Sequence, residues 1–224
     1  MVGPERCDVA IWDVNGELTA GMLRQMTRVT RHDGPQIAVE SGLWHGRRIA
    51  VGYPQRVTAA RAATLSGCLR AMSLGNPANH RVVIGPATAI TGRAAVGDVV
   101  LASEVHASAV RIAIESSICC DRIAHTPLGD GELSKASAVA ATTDWAAVTA
   151  RAGVEDGEPT LIVAVVTATS ASEIVQPPPS RRRTLAREAG AYLGRFLKGQ
   201  SSDGANARCV ENAAQTLARI VQAS

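Results

Sequence analysis

Few side chains in this sequence are placed for chemistry. Two carboxylates, Asp13 and Glu17, stand on either side of the turn Asn15-Gly16 that closes the apolar run Val9–Val14. Carboxylates beside a loop can do acid–base work, and each of these also has a plain structural use. Asp13 is suited to capping the turn. Glu17, at the head of a helical pattern, is a favourable partner for a helix dipole. The five cysteines (Cys7, Cys68, Cys119, Cys120, Cys209) are odd in number and lack metal-ligand spacing, and the adjacent pair is not a C-x-x-C motif. They read as reduced, mostly buried thiols, so no metal and no other cofactor is expected. His45 and His80 read as turn residues. His106 and His125 flank an ambiguous middle segment, and all four are expected at the surface, with a pocket mouth as the alternative for His125. The triplet Arg181-Arg182-Arg183 follows Pro177–Pro179 and reads as a solvated loop or helix start rather than a phosphate patch.

Composition bounds the rest. A chain of 224 residues with 46% hydrophobic content can bury one sizeable core, and 3% aromatics means that core is built from Ala, Val, Ile and Leu. Small side chains let helices lie close to a sheet and suit a layered fold. A net charge of +3 with scattered Lys and Arg argues against nucleic acid, whose binders combine a broad basic face with stacking aromatics. No run approaches the roughly 18 apolar residues that span a bilayer, and Met1–Asp8 carries no signal core. A soluble, cytoplasmic protein is expected.

The elements that must position the carboxylates follow from periodicity. Val9–Val14 reads as a buried strand. Leu18, Met22, Met26 and Val29 recur at helical spacing, which predicts an amphipathic helix after it. Gln36–Leu43 and Arg47–Tyr53 read as a hairpin around Trp44-His45-Gly46, and Val57–Met72 as an Ala-rich helix. Arg81–Gly85 and Gly97–Val105 read as strands. His106–Asp121 fits strand or helix, His125–Glu132 a loop, and Lys135–Ala152 a helix. Thr160–Val166 is the most hydrophobic β-branched run and should be a central parallel strand. Ser172–Ser180 is a Pro-rich connection, followed by helices over roughly Arg181–Lys198 and Asn206–Gln222 with Gly199–Gly204 between them. Strands alternate with helices, there is no internal repeat, and no composition break marks a second domain. The expected fold is a single-domain α/β, three-layer α/β/α sandwich with a central mixed sheet over residues 1–224.

Gly85-Pro-Ala-Thr-Ala-Ile and Val96-Gly97-Asp98-Val99-Val100-Leu101-Ala102 together resemble the glycine-rich strand end and "vGDVVia" segment of the nucleoside phosphorylase and nucleosidase superfamily. Val9–Leu18 is similar to that family's first strand and its loop ending in a glutamate. Gly42–Ala63 is similar to its "G-x-l-x-G-x-x-V" stretch. Thr160–Ser170 and the last helices resemble its C-terminal third, so the resemblance spans nearly the whole chain. It implies cleavage of the bond between a ribose and a nitrogen base. In that family a protonated Asp serves the base nitrogen, a Glu grips the ribose hydroxyls, and the nucleophile is phosphate or a water activated by a second Glu. It also implies a homo-oligomer whose members pair across the pocket rim, and the apolar surface of Val57–Met72 fits that.

Carried onto this chain, the resemblance puts Glu17 at the water-activating position. Asp144-Trp145-Ala146-Ala147-Val148 resembles the "D-M-E-x-A-a" helix start. In one register Trp145 replaces the Met under the sugar and Ala146 the ribose-gripping Glu; shifted by two, Asp144 itself takes the Glu position, one carbon shorter. Trp145 is then a substrate shelf or a core residue. Where the family reads "R-x-i-S-D-x-a", this chain has Val166-Thr-Ala-Thr-Ser-Ala-Ser-Glu173, with neither the Arg nor the Asp. The proton-donor position falls on Ser170, Ala171 or Ser172, and a serine hydroxyl can hydrogen-bond a base nitrogen but cannot protonate it near neutral pH. Glu173 is the nearby acid. Where the family has "G-x-A-G-G", this chain has Gly85-Pro86-Ala87-Thr88-Ala89: side chains narrow the approach to an anion and Pro86 removes a donor. The expected catalytic residues are therefore Glu17 and Asp144. Ala87, Thr88, Thr143, Trp145, Thr169 and Ser170 are expected to bind a nucleoside-like small molecule, with hydrolysis favoured over phosphorolysis. The alternative is a catalytically inactive or repurposed member that binds a small ligand in the same pocket.

Overall fold

The computed structural model describes residues 6–35, 37–55, 62–90, 92–107, 110–114, 125–130, 138–142, 145–157, 159–169 and 203–224. In chain order the elements are β1 (Cys7–Asp13), α1 (Ala20–Leu23), β2 (Thr27–Asp33), β3 (Ile37–Trp44), β4 (Arg47–Pro54), α2 (Ala62–Gly75), β5 (Ala78–Ala89), β6 (Val99–Ala107), β7 (Val110–Ala113), β8 (His125–Asp130), β9 (Ala140–Ala141), α3 (Trp145–Glu155), β10 (Thr160–Thr169) and α4 (Asp203–Ala223). The helix expected over Arg181–Lys198 and the Pro-rich connection lie outside the described residues.

The ten strands among the described residues belong to one mixed sheet in the order β10-β6-β8-β9-β5-β1-β4-β3-β2, with β7 on β6. The strands β4, β1, β5 and β10 run parallel, and β6 lies antiparallel on β10. Because β10 also pairs with β5, the strands β10, β6, β8, β9 and β5 form a closed ring, and the sheet continues from it as an open wing through β1 to β2. The hydrophobic run of β10 is the central strand expected of it: Leu161–Val166 are all buried.

Alternation along the strands feeds two cores. Ala10, Trp12, Val83 and Ala87 join one with Leu65 and Met72 of α2 and Trp145, Ala146 and Ala150 of α3. Val9, Ile11, Val82, Ile84, Leu161 and Val163 join the other with Met22 of α1 and Cys209, Ala213, Leu217 and Ile220 of α4. The spacing of those α4 residues gives that helix one apolar face, as its sequence predicts.

Three expectations are corrected. The helix after β1 is a single turn, and the chain becomes extended at Thr27: Leu18, Met22 and Met26 are buried, whereas Val29 is 43% exposed in β2. The β-branched Thr27, Val29 and Thr30 favour an edge strand once β3 is there to pair with. The loop expected over His125–Glu132 is strand β8, and its Pro127 falls where the ladder skips from Ala102↔Thr126 to Val105↔Leu128, so its missing N–H interrupts no pair. The helix expected from Lys135 starts at Trp145 instead, because Ala140 and Ala141 pair with the end of β5.

That end of β5 is the architectural centre. The strand runs to Ala89, four residues beyond the boundary its apolar run predicts. On one side β1 stops at Asp13↔Ile84 and β9 begins at Thr88↔Ala141. The gap between them holds Gly85-Pro86-Ala87. Pro86 has no N–H to leave unpaired there, and its carbonyl accepts the indole N–H of Trp145 at 3.0 Å. A Cβ on Gly85 would lie 2.7 Å from the Trp145 ring. Gly97 has a different constraint: its φ is +99°, its N–H reaches the Val166 carbonyl at 2.8 Å, and its carbonyl accepts from Asn212 Nδ2 at 2.7 Å. This is what the Gly-Asp pair before β6 does: it ties β10, β6 and α4 together.

Gly85→Ala is expected to destabilise the protein by about 1–3 kcal/mol through overpacking against Trp145. Denaturant unfolding followed by tryptophan fluorescence checks this, and an unchanged midpoint would show that Trp145 does not rest on that strand.

Candidate active site

The first loop is held by one buried carboxylate. Asp13 Oδ1 accepts from the backbone N–H groups of Asn15 (3.0 Å) and Gly16 (2.9 Å). Its Oδ2 accepts from Thr19 N–H (2.8 Å) and Thr19 Oγ1 (2.9 Å). Asp13 and Thr19 are both fully buried. The turn-capping use expected of Asp13 is the one it has, although it clamps six residues rather than one turn. Burial pushes the Asp13 carboxyl up from its ordinary value, while the hydrogen bonds from Thr19, Asn15 and Gly16 pull it back. The clamp leaves Glu17 exposed at the crest of the loop, between Gly16 and the buried Leu18.

Tyr53, which the sequence reading did not single out, supports the same loop from β4. A Cβ on Gly16, whose φ is +76°, would lie 3.5 Å from both Cβ and Cδ2 of Tyr53. The Tyr53 hydroxyl donates to Glu40, and Glu40 lies 3.7 Å from Arg31, which also binds Asp33 at 2.9 Å. Burial, then the hydrogen bond to Glu40, pushes the Tyr53 phenol up to about 12.

Three segments meet along the last part of β5. The N–H of Val14 bonds the Ile84 carbonyl at 2.9 Å, which seats the first loop. Thr169 of β10 pairs with Ala89, and Ala140–Ala141, three residues before α3, pair with Ala89 and Thr88. Ile84 to Ala89 spans roughly 17 Å at the rise of a strand. The first loop, β9 ahead of α3 and the polar end of β10 are therefore all seated along this stretch of β5.

The individual site residues stand as follows. Trp145 is 4% exposed, packed on Gly85 and bonded to Pro86. Ala87 is buried in the same core, and Thr88 is half-buried. Both lie within the ladder to β10, so the stretch from Gly85 is strand and not a phosphate-cradling loop. Thr169 is described in its backbone pairing alone. Thr143, Asp144 and Ser170 lie outside the described residues. Of the histidines, His80 is in β5 rather than a turn, and His106 is buried rather than exposed, its Nε2 2.7 Å from Glu104 Oε1. That hydrogen bond lowers the Glu104 carboxyl. The i, i+2 spacing of Glu104 and His106 on one strand was the signal for this pair. Among the described residues, no group of three or more His, Cys, Asp or Glu could hold a metal ion, and no helix is long and apolar enough to cross a membrane.

No family model and no curated protein sequence matches the chain. Solved structures do. The 5'-methylthioadenosine/S-adenosylhomocysteine nucleosidase of Neisseria meningitidis, in complex with methylthio-immucillin-A, superposes with a TM-score of 0.71 at 14% identity, over 97% of this chain and 99% of that one. The chain shares the fold of that nucleosidase. The corresponding nucleosidase of Colwellia psychrerythraea, in complex with adenine, gives a TM-score of 0.67 at 11% identity over 97% and 96% of the two chains. A futalosine hydrolase mutant of Helicobacter pylori gives 0.67 at 12% identity over 96% and 99%. At these identities the likeness is one of fold.

Asp13→Asn is expected to destabilise the protein by about 1–3 kcal/mol, since it turns an amide N–H toward Thr19's donors and leaves buried groups unsatisfied. The pH dependence has a sign. A carboxyl raised in the folded state holds its proton more tightly there, so the contribution of Asp13 to stability is present in full below the ordinary carboxylate value and is lost as pH rises through its raised folded value. The gap between wild type and variant should therefore narrow from pH 3 to pH 7 in urea titrations. A widening gap would mean that the four hydrogen bonds outweigh burial.

Proposed function

We propose that this protein is an N-ribosyl hydrolase acting on a nucleoside-type substrate bound at the C-terminal end of β5. What supports the reading is that the clamped Glu17 loop, β9 ahead of α3 and the end of β10 are all seated along the last six residues of β5. Glu17 takes a proton from a water molecule whose oxygen attacks the anomeric carbon. The carbon–nitrogen bond breaks as the new carbon–oxygen bond forms, and its electron pair leaves on the base nitrogen. Asp144 holds the ribose hydroxyls, and Thr143, Thr169 and Ser170 hydrogen-bond the substrate. Trp145 and Ala87 back the pocket from the core, and Thr88 lies at its floor. Hydrolysis is favoured over phosphorolysis because the backbone donors around Thr88 are engaged with β10 and β9 and Pro86 has none to offer. The two cores on opposite faces of the sheet support a three-layer α/β/α domain with one end rolled into a ring. We read the protein as a single cytoplasmic domain that forms a homo-oligomer.

One feature favours the second reading, a member that binds its ligand without turnover. The chain offers Ser170, Ala171 and Ser172 where an acid would protonate the leaving base, and leaving-group protonation contributes about 10²–10⁴-fold. A hydrolase with this sequence suits a base that departs without full protonation.

The test is incubation with a nucleoside panel, with and without phosphate, followed by measurement of free base. Phosphate-independent release is expected, and Glu17→Gln should lower kcat by about 10²–10⁴-fold with KM little changed. Full activity in Glu17→Gln would remove Glu17 from the mechanism. Ligand-induced thermal shifts with no release from any nucleoside would establish the binding reading in place of hydrolysis.

A further inference from the structure

A row of polar side chains crosses the open wing of the sheet and ends at the Glu17 loop. The register pairs Arg31 of β2 with Glu40 of β3, so their side chains stand on one face. Glu40 lies opposite Val51 of β4, and Ala38 opposite Tyr53. Tyr53 and Glu40 are therefore diagonal neighbours on that face, at a distance a long side chain spans. The Tyr53 hydroxyl donates to Glu40, and Glu40 lies 3.7 Å from Arg31. Arg31 is held in turn by Asp33 at 2.9 Å, and Asp33 accepts from Gln55, just past the end of β4, at 2.8 Å. These contacts clip the two outer strands to the end of β4.

Arg31 and Asp33 are about half exposed, and exposed ion pairs add little to stability. What the network supplies is direction, and it is delivered at Gly16. The register Trp12↔Gly52 puts Tyr53 one step past the last pair of β1 and β4, beside Asp13. Gly16 has a φ of +76°, and its N–H is held by Asp13 Oδ1 at 2.9 Å. On its Cα side, an added Cβ would lie 3.5 Å from both Cβ and Cδ2 of Tyr53. One residue is thus held from β1 through its N–H and from β4 through a ring, and Glu17 is the next residue. The Tyr53 phenol, pushed up to about 12 by burial and then by Glu40, keeps its proton and remains a donor at neutral pH.

We propose that Tyr53 and Glu40 are positioning residues for Glu17: the hydrogen bond between them fixes the ring that bears on Gly16, and with it the loop crest from which Glu17 reaches its water. The kinetic consequence rests on the hydrolase reading; the structural one does not. Both residues act through the loop. Misplacing a reacting group by about 1 Å can cost on the order of 10²-fold in rate, so a modest tilt of this ring is enough to matter.

Tyr53→Phe deletes the hydroxyl and Glu40→Leu its acceptor, each studied at a temperature at which circular dichroism shows it folded. Backbone amide signals of the ¹⁵N-labelled full chain read the loop directly. Those of Gly16 and Glu17 are expected to shift or broaden alike in both variants. Unchanged signals overturn the proposal, whether or not any nucleoside is hydrolysed. Free-base release reads the consequence. Tyr53→Phe is expected to lower kcat by about 10–100-fold with KM little changed. The double variant should be no slower than the slower single one, as for two residues acting through one bond. In a Glu17→Gln background, loss of the hydroxyl should cost nothing further. An undiminished loss in that background, or additive losses in the double variant, would overturn the proposal. A wild-type protein that releases no base from any nucleoside fails the hydrolase reading alone, and the amide signals still decide what holds the loop.

Discussion

β5 has more neighbours than any one partner strand could supply, and the fold is organised around that. Its first half is bonded to β1, its last two residues to β9, and its other side to β10 over nine paired positions. A strand buried on both faces must have its backbone groups satisfied from both sides. The sheet meets that demand by closing a ring at the end where β1 has run out. The three-residue break between β1 and β9 is then filled by residues that tolerate it: Pro86, without an N–H, and Gly85, without a side chain. The Trp145 indole covers the break and satisfies the Pro86 carbonyl.

The scarcity of aromatics has a consequence for packing. In a core made chiefly of Ala, Val, Ile and Leu, two of the large rings lie against a glycine. Trp145 has Gly85, and Trp12 has Gly52. The seat of Trp145 fixes where α3 begins.

The loop after β1 is held from two sides. The Asp13 clamp uses four hydrogen bonds to hold six residues, and Tyr53, tied through Glu40 to the outer strands, buttresses Gly16. Such investment in a loop crest carrying an exposed glutamate suits a residue that must meet a substrate. The sequence that follows β10, Ser170-Ala171-Ser172, carries no acid. For the proposed hydrolysis, that leaves activation of the nucleophile as the main protein contribution.

Local pattern determined much of this protein. The hairpin of β3 and β4, the hydrophobic strand β10, the amphipathic α4, the capping use of Asp13 and the family likeness of the Gly97-Asp98 segment all follow from residues close together in sequence. Their physics is local: turn chemistry, alternation, and one apolar stripe. Tertiary structure alone decided that the pattern from Leu18 to Val29 breaks into a turn and an edge strand, that Pro127 lies in β8, and that Ala140–Ala141 leave a predicted helix. In each case a partner strand distant in sequence offers backbone hydrogen bonds that outweigh local propensity. The burial of His106 against Glu104 has the same origin, since it depends on what surrounds a side chain rather than on what precedes it.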